Sequence, residues 1–326
     1  MKELISRYRN ELMGIGIIWI IIHHIYFFKL YDFSNMGEII NGIARAGSCG
    51  VDIFLFLSGF GLYYSYSKNP SIGTFYLKRI IRIFPVFILC SLIWNGIKTN
   101  FTFRDLFFLK FWVNQFHWYW YITCILLFYA LFPFIFKMLK KIGPLWVFII
   151  SCVVAFAVSL LFTYVGLGDI HDIYVSIPER LPIFIAGIIL AEGHFPERFM
   201  QKYDLLVLAA SITLLSVLFF YNWDTWVYPA YFFLTLGLLP LFTSIFRFFP
   251  PVILRFLRFS GKLSLELYLI HMFIFWSNLF HFLNNTFLSV LSLFLLSYLG
   301  SWLVNKFLSY AVYPCLQPGR KQKITR

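Results

Sequence analysis

From Met13 to Leu30 the chain reads MGIGIIWIIIHHIYFFKL, an apolar run broken only by two adjacent histidines, His23 and His24. Runs of similar length recur along the chain, separated by short polar gaps. A bilayer core about 30 Å thick takes roughly 20 apolar residues per helix. The pattern therefore predicts spans near 12–30, 46–66, 83–99, 116–136, 145–165, 180–193, 205–222, 227–246, 263–281 and 287–313. The expected fold is an all-α polytopic membrane protein of ten helices. The sixth span, in RLPIFIAGIILAEGHF, is short and crosses by thinning the bilayer locally.

Composition agrees with this pattern: 60% of residues are hydrophobic and 13% charged, far from the balance of a soluble domain. Charge then sets the orientation, because Lys and Arg concentrate in cytoplasmic loops. With the N-terminus inside, twenty Lys and Arg fall on inner segments and six on outer ones, with Lys306 inside the last span. Both ends are therefore expected in the cytoplasm. The formal charge of +13 is spread over those inner segments, which suits anionic membrane lipid and not nucleic acid. The cysteines Cys49, Cys90, Cys124, Cys152 and Cys315 show no C-x-x-C spacing, so neither a disulfide framework nor a metal site is indicated. The first run lacks a small-residue cleavage site and is read as a retained helix. There is no internal repeat or domain linker, so residues 1–326 are expected to form a single transmembrane domain ending in a basic cytoplasmic tail, 314–326.

Chemistry enters with the polar residues inside the spans. At a rise of about 1.5 Å per residue, His24 lies roughly 12 Å and Asp52 roughly 9 Å from the outer boundary, on consecutive helices. An Asp beside a His holds the imidazole in one tautomer, as a general base requires. The alternative is a buried polar pair that only ties two helices together. His23 points about 100° away from His24 and reads as a packing or interfacial residue. In the second span Ser48, Asp52 and Gly59 fall near one face, while Gly47, Gly50, Gly59 and Gly61 permit close helix approach.

At the inner surface FYLKRIIRIFPVF sets Arg79 and Arg82 three residues apart on one helix face. Arginine forks suit phosphate, although an orientation anchor has the same composition. RFLRFSGK repeats the theme with Arg255, Arg258 and Lys262. The ninth span carries Ser264, Tyr268 and His271 on one stripe, with Glu266 off it. Such a stripe must face protein or water, so this helix is expected to line the same interior cavity as the first two spans; interhelical packing is the alternative.

These elements together resemble the integral-membrane acyltransferase 3 family, bacterial enzymes that move acyl groups, commonly acetyl, from coenzyme A thioesters to hydroxyls of surface glycans and related acceptors. The resemblance rests on GVDIFLFLSGF (Gly50 to Phe60), KRIIRIFP (Lys78 to Pro85), WYITCILLFYALFP (Trp120 to Pro133), RLPIFIAG (Arg180 to Gly187) and GKLSLELYLIH (Gly261 to His271), in the family's order. It implies acetyl-CoA or another acyl-CoA as donor, held by Arg79 and Arg82 with Arg9 nearby, and a glycan or glycolipid acceptor at a bacterial plasma membrane. No metal is expected. His24 matches the family histidine and would act as general base or as an acyl carrier; Asp52 would orient it, and Ser58, Tyr268 or His271 would stabilise the oxyanion. Two positions depart from the family pattern: Met13 stands where an arginine is usual and Ile125 where many members carry glutamate. Some relatives add an extracytoplasmic domain after the last helix, and none is expected after PGRKQKITR. Aromatics at His117 to Trp120 and Tyr221 to Tyr228 suit an interfacial belt or a sugar-stacking surface. The competing readings are a transporter or lipid-linked glycan carrier that couples protons through His and Asp, and a membrane interaction protein without catalysis.

Overall fold

The computed structural model describes residues 1–97, 120–165, 177–193, 197–221, 227–276 and 286–313. The basic tail, Cys315 and most of both aromatic groups, 117–119 and 222–226, lie outside the described residues. Helix accounts for 93% of the structure, with no strand among the described residues, so the chain is all-α. Each expected span has its helix. They are α2 (Arg9–Phe27), α4 (Cys49–Lys68), α5 (Ile72–Ile97), α6 (Trp120–Ile142), α7 (Pro144–Val165), α8 (Leu181–Glu192), α9 (Glu197–Phe220), α10 (Val227–Ile245), α12 (Ser264–Trp276) and α13 (Thr286–Phe307). Among the described residues, six helical segments are long and apolar enough to cross a membrane.

Three helices fall outside the hydropathy pattern: α1 (Lys2–Arg7), α3 (Glu38–Arg45) and α11 (Pro251–Lys262). Their apolar residues are interleaved with polar ones, so no window of 20 residues reports them. A short turn before α3 is fixed by Asp32, whose carboxylate accepts from the Ser34 amide at 3.0 Å and hydroxyl at 2.6 Å. Those two bonds hold the Asp32 carboxyl below its usual range.

The chain divides into two compact units. The first, Met1–Pro70 with Tyr119–Lys262, is assembled through glycine contacts. Gly187 of α8 faces the Phe56 carbonyl of α4 so closely that an added Cβ would stand 2.1 Å from that oxygen, and Gly59 meets Phe184 likewise. Such backbone approach is how membrane helices gain contact without a hydrophobic driving force. The start of α4 is clamped by an apolar cluster in which Ala46 and Cys49 pack with Leu208, Leu215 and Leu218 of α9 and Tyr231, Leu234 and Leu238 of α10.

The second unit, Ser71–Trp118 with Leu263–Arg326, contains α5, α12 and α13. Helix α12 is buried almost all round, from Leu267 to Met272. Helix α13 offers it a stripe of Ser289, Leu293, Ser297, Ser301 and Val304 at helical spacing. The small Gly300 lets Ile270 approach within 3.1 Å of where its Cβ would be.

Candidate functional site

In the first unit, α2 and α4 run antiparallel with a register fixed by three contacts: Arg9 to Leu57, Gly16 to Gly50, and His23 with Trp19 to Gly47. The upper end of this pair is polar. Between α3 and α4 the chain makes a tight turn, Ala46–Ser48. The His23 Nδ1 lies 3.3 Å from the Ala44 carbonyl oxygen, and the Trp19 indole donates to the Ile43 carbonyl at 2.7 Å. A carbonyl only accepts, so His23 carries its proton on Nδ1. His24 follows with its ring 5.7 Å from that of His23 and stacked at 6.0 Å on Phe28. It is partly buried.

Asp52 makes its ion pair with Arg180, at 2.8 Å between Nη1 and Oδ2, with both side chains almost fully buried. The same guanidinium donates from Nη2 to the Ser48 hydroxyl at 2.9 Å and from Nη1 to the Ser48 carbonyl at 3.4 Å. Its opposite face lies over the Trp120 ring, 5.1 Å from the centroid. One planar cation therefore serves a carboxylate, a hydroxyl and a carbonyl in the turn that starts α4. By the α2–α4 register, Asp52 stands roughly 9–15 Å along the axis from the level of His24. The two are farther apart than the sequence places them, because Gly50 packs on Gly16 and Gly47 on Trp19 and His23, a register that sets Asp52 beside a part of α2 well before His24.

Ser58 is buried in α4 and lies further toward the Arg9 end. Arg9 reaches the Leu57 carbonyl at 3.5 Å and passes over Gly61, whose missing side chain leaves room for it. Two residues after Arg9, fully buried Glu11 accepts from Arg258 Nε at 3.0 Å and Nη2 at 2.6 Å. Ile125, at the departing family position, is buried in α6.

In the second unit, Arg79 is half-buried and stacked on Phe75, 5.5 Å from its centroid, and Arg82 is exposed. Tyr268 and His271 are buried side by side, with rings 5.8 Å apart. His271 Nδ1 donates to the Leu267 carbonyl at 2.7 Å, which leaves Nε2 of the neutral ring as an acceptor. Glu266, off the sequence stripe, is fully buried and accepts from Asn305 Nδ2 at 2.8 Å. Its second oxygen and the hydroxyls of Ser297 and Ser301 are buried without a hydrogen-bond partner.

Three buried acids, Glu11, Asp52 and Glu266, thus have partners that the sequence pattern does not reveal. Arg180 reads as an outer-loop cation, although it opens the RLPIFIAG element, and Glu266 looks like a helix-start carboxylate. Among the described residues no group of three metal-ligating side chains occurs. A family model described as "Acyltransferase domain" matches residues 12–306, which covers both units. No curated protein and no solved structure matches the chain. The match takes in the histidine pair, the Asp52–Arg180 pair, Arg79 and Arg82 and the Tyr268–His271 helix, and on that extent the chain belongs to the acyltransferase 3 family.

Proposed function

We propose that the protein is an integral-membrane O-acyltransferase that moves an acyl group, most simply acetyl, from acyl-CoA to a hydroxyl of a cell-surface glycan, glycolipid or precursor. The observation that carries this reading is the family match over 12–306 with the family histidine, His24, partly buried in the last turn of an apolar helix.

In the proposed reaction His24 takes the proton of the acceptor hydroxyl as its oxygen attacks the thioester carbonyl. The tetrahedral intermediate collapses by breaking the carbon–sulfur bond. The imidazolium returns the proton to the leaving thiolate, so ester and free thiol form with no net proton change. Arg79 and Arg82 bind the donor's phosphates. Arg180 and Asp52 act as positioning residues that fix the turn beside the histidines. His271, with its proton on Nδ1, has none on Nε2 for an oxyanion, so in the neutral ring the neighbouring Tyr268 is the better donor.

Ten spans, cytoplasmic termini and a bacterial plasma membrane complete the proposal. The family match includes residues of both units. The test is release or transfer of label from radiolabelled acetyl-CoA by the purified protein beside its His24→Ala variant. Transfer that needs His24 supports the reading. Transfer that survives the substitution removes the general-base role, and failure of the wild type to bind acetyl-CoA removes the donor.

A further inference from the structure

Helix α11 has no part in the proposed chemistry, yet it has a sharply divided surface. Wound at 3.6 residues per turn, it shows three sectors. Leu257, Ser260 and Gly261 are buried. Arg255 and Lys262 are exposed on a second sector, which Arg258 borders. Val252, Phe256 and Phe259 form the third and are 65%, 48% and 41% exposed. A twelve-residue helix is too short to span a bilayer.

The contacts of α11 fix its depth. An added Cβ on Gly14 would stand 2.0 Å from the Leu257 carbonyl oxygen, and one on Gly261 only 1.8 Å from that of Asn10. The backbone of α11 therefore touches α2 at Asn10 and Gly14, where that apolar span begins. A span's end lies at the headgroup layer. There an aromatic sector beside a cationic sector matches acyl chains beside phosphates, which is the division expected of an interfacial helix. A protein partner would leave unexplained why the two sectors adjoin at that depth.

We infer that α11 is a binding site for anionic phospholipid, in which Arg255 and Lys262 take headgroup phosphates while Val252, Phe256 and Phe259 lie among the acyl chains. Binding is carried to the helix that bears His24, because the Arg258 guanidinium holds buried Glu11 and the two backbones are in contact. This site is independent of the acyltransferase reading.

The test reconstitutes the full-length protein in nanodiscs with photoactivatable phosphatidylglycerol or phosphatidylcholine and maps the adducts by mass spectrometry. With two cations near the surface, phosphatidylglycerol should label residues 248–262 roughly thirtyfold more than phosphatidylcholine. That excess should fall in R255Q/K262Q and in high salt, and should persist in K137Q/K141Q, which removes the same charge from exposed positions on α6. Should the double variant fail to fold, the single variants and the salt series on the wild type give the same reading. Equal labelling by the two lipids, or an equal fall in both double variants, would overturn the proposal. So would chain-to-chain crosslinks through 252–259 in place of lipid adducts, which would assign the face to a second copy.

Discussion

Arg180 and Asp52 carry opposite charges inside a helical bundle, and each has been removed from water for the other. Deleting one partner of such a pair strands the second charge, at a cost of about 3–5 kcal/mol, whereas replacing both with apolar residues is often tolerated. Arg180→Ala should therefore lower the unfolding midpoint steeply. The Asp52→Leu/Arg180→Met double variant should recover much of the loss, and a double variant no more stable than the single would show that the ion pair is not what holds the turn. If the pair also positions the site, the recovered protein should still fail to turn over acetyl-CoA. The histidines allow a separate contrast. His23 uses a ring N–H to reach a carbonyl, which an asparagine amide imitates, so His23→Asn should keep turnover within about threefold. His24→Asn should abolish it, because an amide cannot take the proton. His24 stands out in the sequence as a titratable ring inside an apolar run, although α2 ends at Phe27 and so places it in the last helical turn, nearer the helix end than the sequence spacing gives. The Arg180 partnership is not legible there, because a separation of 128 positions from Asp52 carries no periodic signal of contact and a lone arginine at a span's end looks like an orientation anchor.

Elements are where sequence and structure agree best, and their boundaries show why the agreement stops. Ten apolar runs give ten helices because the hydropathy signal and the burial it reports extend over 12 to 26 residues. The helix of the third span, α5, begins at Ile72, eleven residues before its apolar run at 83, since FYLKRIIR is helical but amphipathic. The same blindness hides α3 and α11. Glycine roles are only half visible: the residue type suggests close packing, but the partner backbone has to be seen. Gly187→Ala would press a methyl against the Phe56 carbonyl, whose backbone cannot yield without moving α4, and overpacking of this kind costs typically 1–3 kcal/mol or more. Gly42 lies in α3 with nothing within 4 Å of an added Cβ. Gly42→Ala should therefore stabilise, by about 0.5–1 kcal/mol, through helix propensity. Thermal unfolding of the two purified variants checks both, and midpoints shifted the same way would refute the packing account.

At the scale of the whole molecule the open quantity is the parity of the spans. Helix α8 has twelve residues, fewer than a lipid-facing span needs, yet Pro182 to Ala191 are all buried in protein. A segment shielded in this way is not held to the bilayer's own thickness, because the surrounding helices meet the lipid for it. If α8 crosses, the count is even and both termini lie on one side. If it does not, every later segment changes side, and ten of the twenty inner Lys and Arg would move outside, against the bias that orients membrane proteins. Crossing is therefore the expected outcome. Single cysteines at Asp32, Ser71, Gly143 and Arg247, placed in a background without the native thiols, would be labelled by an impermeant maleimide in sealed vesicles of known orientation. Ser71, Gly143 and Arg247 should react from the cytoplasmic side and Asp32 from the other. Arg247 labelled together with Asp32 would show that α8 turns back without crossing and that α9 to α13 run opposite to the proposed sense. In that case Arg255 and Lys262 would face the outer leaflet, while Arg79 and Arg82, which precede α8, would keep their access to a cytoplasmic donor.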